Sequence, residues 1–309
     1  MSNYQDFGFN SDEFQGEITT VPYCQFLNSG VEHGRETRPF PPLNASSQKY
    51  GIAITPSNAE LAGFKPVDSW KAVEHEFSDG TNEILLVSQQ PKLLVLNRSQ
   101  PLMSDGIKTM PYSKVDFAAG GYKAFSYVVV WFLDNHNQPL SELPFRLKCS
   151  GYAGLTFLKN YSYYNNPSSF CKKFLNVYKS LTGDRAIDKN DIFYAHAVYQ
   201  PELVRQKATS AHNGQSSFAV MTNSFIEPTP ANFSSLIIKN GSPLSHKIKQ
   251  LQETTKPWLK FEAVEPKLEE QEEIEVSTQA RLALAPFGDA GFLAQNGVEA
   301  GLTPEPVRF

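Results

Sequence analysis

One stretch of the chain, LKNYSYYNNPSSFCKKF at residues 158–174, combines aromatic and basic side chains. It holds five Phe or Tyr rings and three lysines, and it contains no carboxylate. Lysines neutralise phosphates, and aromatic rings stack on unpaired bases at about 1–3 kcal/mol each. This composition therefore predicts a groove that binds single-stranded nucleic acid without choosing a sequence.

The lack of acidic residues extends beyond this stretch. Between Glu142 and Asp184 there is no Asp or Glu, and the intervening residues include six bases and nine Phe or Tyr rings. A second acid-free span covers residues 203–226. We expect the bases to contact phosphates and the tyrosines to stack on bases, all along one common groove. The predicted binding residues are Arg146, Lys148, Lys159, Tyr161, Tyr163, Tyr164, Lys172, Lys173, Arg205 and Lys207.

A helical pattern at the end of the stretch supports a more ordinary interpretation for some of these residues. At 100° per residue, Phe170, Phe174 and Leu181 lie along one stripe, which predicts a buried face. Lys172 and Lys179 lie on the opposite side, where a lysine is most often simply solvated. For the tyrosines of NYSYYNNP, packing against the body and stacking on a base both remain open.

No arrangement typical of an enzyme is visible, and we predict a non-catalytic protein without metal or cofactor. The phosphate-loop, zinc-protease and serine-hydrolase motifs are all missing from the sequence. Two weaker patterns could ligate metal: Glu74 and Glu76 on one face of a predicted strand, and the acids of GDRAIDKNDI at 183–192. The second would suit a two-metal nuclease, although a polar loop is the far commoner explanation.

The distribution of charge favours a polyanionic ligand. The net charge is −4, yet residues 1–30 hold four acids and no Lys or Arg, and residues 262–309 hold ten acids and three bases. Residues 31–261 are correspondingly basic, with 25 bases and 18 acids. A basic body between acidic ends suits polyanion binding, with ends that can compete for the same surface.

Composition sets the class of protein. A chain of 309 residues with 40% hydrophobic and 12% aromatic residues is typical of a folded globular protein. No run approaches the roughly 18 apolar residues of a membrane helix, and the first thirty residues lack a secretory leader. Three widely spaced cysteines match neither a zinc site nor a disulfide framework. These features predict a cytoplasmic protein that does not contact a membrane.

The elements that must position the binding residues are predicted between residues 20 and 260. FSYVVVWFL at 125–133 is the strongest strand and is expected to be central, with LPFRLKC at 143–149 as its partner. The predicted fold is α+β, a curved antiparallel sheet or OB-like barrel with helical insertions. Residues 1–19 are predicted to be a disordered acidic arm, 20–260 a single body domain, and 261–309 an acidic linker and disordered tail. Other predicted strands lie at 50–55, 70–77, 82–88, 92–99, 192–200 and 216–226, and helices at 56–64 with Ser57 as N-cap, 155–181 with a break at 165–167, 229–237 and 242–255.

Several segments carry a resemblance to a known family. They are PYCQFLN (22–28), YGIAITPSNAELAGF (50–64), Trp70, PKLLVLNRSQPLMSD (91–105) and VVWFLDNHNQPLSELPFRLKCSG (129–151). On these segments the body resembles an uncharacterised family of cyanobacterial proteins, often plasmid- or phage-associated, defined only as a domain of unknown function. The resemblance spans about residues 20–255, and FLDNHNQPL is its most specific piece. It implies a shared fold and supplies no activity.

The general layout is also similar to phage-type single-stranded DNA-binding proteins, which have a curved β body, a basic face and an acidic tail ending in Phe. Here the chain ends in Phe309, but Arg308 departs from that pattern. The similarity implies single-stranded DNA or RNA as ligand and protein partners for the acidic C-terminal tail. The alternative hypothesis is a structural or adaptor protein whose arms bind other proteins, with the rings of residues 1–19 as anchors.

Overall fold

The computed structural model describes residues 21–28, 49–77, 81–162, 166–185, 187–209 and 216–259, with side chains omitted at 207–209 and 216–218. The arms predicted at 1–19 and 261–309 therefore lie outside the described residues. The strands are β1 (Tyr23–Leu27), β2 (Gly51–Ile54), β3 (Lys71–Glu76), β4 (Asn82–Ser88), β5 (Leu93–Arg98), β6 (Leu102–Ser104), β7 (Thr109–Pro111), β8 (Lys123–Phe132), β9 (Phe145–Ser150), β10 (Val198–Tyr199), β11 (Pro201–Thr209) and β12 (Ser216–Phe225). The α-helices are α1 (Pro56–Ala62), α2 (Lys114–Ala118), α3 (Gly151–Ser162), α4 (Phe170–Thr182), α5 (Asp191–Ala195) and α6 (Pro243–Thr254), and 3₁₀ helices cover Phe233–Ser235 and Lys256–Leu259.

Ten of the strands form one mixed sheet. Its order is β10-β5-β8-β9-β1-β2-β4-β3, and β6 and β7 extend it beside β8, while β11 and β12 form a separate hairpin. The β1–β9 pair is parallel and the other pairs are antiparallel. The α+β class is confirmed. The OB-like barrel is wrong, because β3 and β10 lie at opposite edges and do not pair with each other.

Strand β8 lies inside the sheet, between β5 and β9. Its run Val128–Phe132 combines β-branched and aromatic residues, which fit a pleated surface packed on both sides. All five of these side chains are fully buried. The predictions that 125–133 is a central strand and that 143–149 provides its partner are both confirmed.

The two faces of the sheet pack against different elements. Val128 and Val130 belong to the larger core, whereas Val129 and Trp131, which point the other way, belong to a smaller one. We call the side bearing Val128 and Val130 the helical face, because buried residues of α3, α4 and the β11–β12 hairpin complete that core. On α3, a Cβ at Gly154 would lie 2.2 Å from the carbonyl carbon of Cys149, so glycine permits the close approach of this helix to β9.

Two local predictions were wrong because a capping side chain determined the structure. Helix α1 begins after Thr55, whose hydroxyl accepts the backbone N–H of Asn58 at 3.3 Å, rather than after Ser57. The first four residues of the strand predicted at 192–200 belong to helix α5, because the side-chain oxygen of Asn190 accepts the N–H of Phe193 at 3.1 Å. β propensity alone favoured a strand there, and only β10 remains of it.

Helix α6 covers part of the face opposite the helical face. Ile248 and Leu251 pack into the smaller core, and Asn97 Nδ2 on β5 donates to the Gln252 carbonyl at 2.6 Å. The helix at 242–255 is confirmed, with Pro243 in its first turn. None of the helices in the described ranges has the length and apolar run that a membrane crossing requires.

A buried histidine contacts the first turn of α6. His196 Nδ1 donates to the Ile192 carbonyl at 2.6 Å, and Nε2 accepts from the Ser245 hydroxyl at 2.8 Å. Burial holds the pKa of His196 below its ordinary value, and the charge of Lys249 lowers it further against the opposing effect of the Ile192 carbonyl. The neutral imidazole is therefore the form that the fold stabilises.

Protonation of His196 should destabilise the protein in mild acid. Its folded pKa lies below the unfolded value of about 6.5, so the stabilisation is fully present above that pH and is lost as pH falls towards the folded pKa. We expect the unfolding free energy, measured by urea titration between about pH 8 and pH 5, to fall below pH 6.5. The His196→Gln variant should be less stable at pH 8, and its unfolding free energy should depend less on pH. If the unfolding free energy of this variant falls with pH as steeply as that of the wild type, His196 is not the group responsible.

Candidate nucleic-acid interface

Beyond the area covered by α6, the face opposite the helical face carries cations and rings. Lys123, Phe125 and Tyr127 occupy alternate positions of β8 and so share one side of the sheet with buried Val129. The register pairs Tyr127 with Lys148 of β9 and Val129 with Arg146. Directly opposed residues lie on the same face, so Arg146 and Lys148 join this side.

Strand β1 brings a further ring to the same side. Its parallel register with β9 pairs Tyr23 with Arg146, while the next pair, Cys24 and Leu147, belongs to the core of the helical face. The Tyr23 side chain is exposed, at 46%. We define the basic-aromatic patch as these six residues on three neighbouring strands: Lys123, Phe125, Tyr127, Arg146, Lys148 and Tyr23.

Each cation of β9 lies over a ring of β8. The Arg146 guanidinium carbon is 4.8 Å from the centre of the Tyr127 ring, and Lys148 Nζ is 4.3 Å from the centre of the Phe125 ring. Such contacts fix the direction of flexible cationic side chains at about 0.5–1 kcal/mol each at exposed sites. The Phe125 ring is buried and supports the lysine, whereas Tyr127 is half-buried and Tyr23 is open to a ligand.

Among the described residues, no acid pairs with a cation of the patch. Strands β1, β8 and β9 contain no Asp or Glu. Within the described part of the chain, Lys123, Arg146 and Lys148 make no ion pair. Partial burial, followed by repulsion from Lys123, holds the pKa of Lys148 below its ordinary value. An incoming anion would relieve that repulsion.

The other predicted lysines lie on the opposite side of the sheet. Helices α3 and α4, which carry them, pack on the helical face. Lys172 Nζ is 3.9 Å from Asp188 Oδ2, and Lys173 Nζ is 2.7 Å from Glu227 Oε1. The prediction that all these residues line one common groove is therefore wrong. Arg146 and Lys148 lie together on one face of the sheet, and Lys159, Lys172 and Lys173 lie on the other side.

The ring of Tyr161 is part of the core. It is only 5% exposed and stacks on Phe170 with centres 6.1 Å apart. Burial raises the pKa of its hydroxyl well above the usual value, and the neighbouring Cys171 raises it further. The structure contradicts a surface stacking role for Tyr161, because position 161 lies on the inward side of α3 with Phe157.

The remaining predicted residues fall on or near gaps in the described chain. Tyr163 and Tyr164 lie outside the described residues, as does the side chain of Lys207. Arg205 is half-buried on β11, two positions from buried Leu203, in the hairpin that packs on the helical face. Arg205 therefore lies away from the basic-aromatic patch.

Two of the acids considered as metal ligands make contacts within the fold. Asp184 pairs with Lys189, and Asp188 accepts a hydrogen bond from the Tyr194 hydroxyl at 2.5 Å, which lowers the Asp188 pKa. In the ranges that the structure covers, no group of three or more His, Cys, Asp or Glu side chains could hold a metal ion.

Four members of the patch were not predicted: Lys123, Phe125, Tyr127 and Tyr23. A signal for Phe125 and Tyr127 was present, since they alternate along the strand predicted at 125–133, and Arg146 and Lys148 alternate along its predicted partner. Lys123 lies just before that predicted strand. Tyr23 carried no comparable signal, because its position depends on a parallel pairing with a strand more than a hundred residues away.

Comparison with known proteins identifies the family. The family described as "Domain of unknown function (DUF5895)" matches residues 19–273. This match confirms the resemblance to an uncharacterised family and covers all of the described fold. No curated protein and no solved structure matches the chain. The protein belongs to the DUF5895 family.

Proposed function

We propose that the chain binds single-stranded DNA or RNA through the basic-aromatic patch, without sequence choice and without catalysis. One observation carries the proposal: three neighbouring strands, none of which contains an Asp or Glu, bring three cations and three rings to one face of the sheet. Single-strand binders combine a cationic track for phosphates with rings on which bases stack.

The arrangement of the patch supports this ligand over a duplex. Exposed rings on a sheet stack two or three unpaired bases in RNA-binding sheets, and the patch has two accessible rings, Tyr23 and Tyr127. Bases inside a duplex are already stacked and cannot reach Tyr23 or Tyr127. No side chain of the patch offers the paired donor and acceptor of an Asn or Gln that would select one base.

The proposal extends to the cellular location and the origin of the protein. The buried, free cysteines Cys24, Cys149 and Cys171 support a cytoplasmic setting, where thiols stay reduced. The resemblance of segments such as FLDNHNQPL to a cyanobacterial family supports an origin among plasmid- or phage-associated cyanobacterial proteins.

A titration at several salt concentrations tests the function. The purified full chain is added to a fluorescein-labelled oligothymidine, and anisotropy is recorded between about 50 and 300 mM salt. We expect log K to fall linearly with log salt, with a slope near −2 for about three phosphate contacts, and a duplex of equal length to bind more weakly.

The same titration separates the proposal from its rival. An adaptor whose arms bind other proteins needs no affinity for oligonucleotides, so failure to bind at the lowest salt would overturn the proposed function. Salt-dependent binding that is equal for single strand and duplex would contradict base stacking while leaving a phosphate contact.

A further inference from the structure

Both ends of the described body meet at Arg146. At the N-terminal end, the Arg146 backbone N–H donates to the Pro22 carbonyl at 2.8 Å. At the C-terminal end, the Arg146 side chain donates through Nη1 to the Trp258 carbonyl at 3.4 Å. The last described residue is Leu259. The described residues therefore end at the edge of the basic-aromatic patch, and we call this end the exit.

The residues that follow this exit are complementary in charge to the patch. Segment 262–276, EAVEPKLEEQEEIEV, contains seven glutamates and a single lysine. The patch contributes three cations that make no ion pair in the described chain. We propose that segment 262–276 binds the basic-aromatic patch of its own chain and competes there with the single strand; this inference rests on the proposed function.

The distances permit this contact. Lys123 and Tyr127 are four positions apart on β8, which at about 3.3 Å per residue is roughly 13 Å, and the three strands span about 10 Å across. Glu269 follows Leu259 by ten residues, so the intervening chain spans at most about 36 Å. A tethered segment acts at an effective concentration in the millimolar range, so weak individual ion pairs suffice.

The C-terminal segment is a better occupant than the N-terminal arm. Its seven acids lie within fifteen residues, and five of them lie between 269 and 275. The arm has four acids, spread between residues 6 and 17. Because ion pairing with a compact cationic patch depends on local charge density, the C-terminal segment should dominate.

The test compares full-length variants that lose the same number of charges. The segment variant is Glu270→Gln, Glu272→Gln and Glu273→Gln; the matched control is Asp289→Asn, Glu299→Gln and Glu305→Gln. We expect the segment variant to bind oligothymidine about fivefold more tightly than wild type at about 50 mM salt, and the control to change little, because its acids lie farther from the exit. The difference in affinity between the segment variant and the wild type should disappear at about 0.5 M salt.

A second measurement detects the contact without nucleic acid. Nearby glutamates favour the ammonium, so the pKa of Lys148, followed by NMR of the free full chain, should be lower in the segment variant than in wild type. Equal oligonucleotide affinity in all three proteins would overturn the inference and leave the proposed function intact. A pKa difference without any oligonucleotide binding would support the intramolecular contact and overturn the function.

The N-terminal arm provides a further outcome. A variant neutralised at its four acids (Asp6→Asn, Asp12→Asn, Glu13→Gln and Glu17→Gln) should bind oligothymidine as the wild type does. If this variant binds oligothymidine more tightly than the wild type and the segment variant does not, the N-terminal arm rather than segment 262–276 binds the patch, and the inference is overturned.

Discussion

Neutralising the three cations of the basic-aromatic patch is expected to weaken oligonucleotide binding by about a hundredfold at about 50 mM salt. The variant is Lys123→Gln, Arg146→Gln and Lys148→Gln in the full chain. Each lost phosphate contact removes about 0.7 from the salt slope on single strands, so the log–log slope should become shallower by about 2. The measurement is the anisotropy titration of labelled oligothymidine, repeated at four salt concentrations.

A matched control distinguishes a local site from a general effect of charge. Lys159→Gln, Lys172→Gln and Lys173→Gln remove three charges from the helical face, so both variants have the same net charge. Lys172 and Lys173 already pair with carboxylates, and we expect less than a twofold change in affinity. If the two triple variants lose the same amount of affinity, the protein attracts the single strand through its overall electrostatic field, and β8 and β9 do not form a binding site.

The stability of the first variant can be checked independently. Arg146 also holds the Trp258 carbonyl, so its loss can loosen the 3₁₀ helix at Lys256–Leu259. Lys123→Gln with Lys148→Gln leaves that bond in place and should still make the slope shallower by about 1.4. A loss confined to variants that contain Arg146→Gln would indicate a structural effect.

The central part of the fold could be predicted from the sequence because its signals are local. Residues 125–133 combine β-branched and aromatic side chains, and the DNHNQPL turn connects them to their partner strand, so pairing follows from short-range chemistry. The position of β1 could not be predicted in this way. It inserts beside β9 in a parallel pair, and nothing near Tyr23 in sequence specifies a partner at Arg146.

The binding surface was only partly predictable, because the composition of a segment does not determine which way its side chains point. The span between Glu142 and Asp184 is free of acids, yet a helix divides its residues between inside and outside. Tyr161 and Phe170 face the core, and Lys172 and Lys173 of α4 form ion pairs with acids that follow later in the chain. By contrast, Arg146 and Lys148 lie on a strand whose alternation fixes their side, and these two belong to the patch.

Removing the two accessible rings should weaken binding without altering its salt dependence. Tyr23→Ala combined with Tyr127→Ala is expected to lower the affinity for oligothymidine about thirtyfold, from at least about 1 kcal/mol per stacked base. Stacking releases no counterions, so the slope should remain near the wild-type value, unlike that of the cation variant. The Tyr23 N–H donates to Asn58 Oδ1 at 2.8 Å through the backbone, so β1 keeps this anchor in the variant.

The phenylalanine pair separates stacking from the hydroxyl groups. Tyr23→Phe with Tyr127→Phe keeps both rings and should bind within about twofold of wild type, since every base offers a π face to either ring. Urea melts of both double variants establish that the sheet is intact before the affinities are compared. If the alanine pair binds as tightly as the phenylalanine pair, the rings do not contact bases, and the patch would be left as a purely electrostatic surface for phosphates.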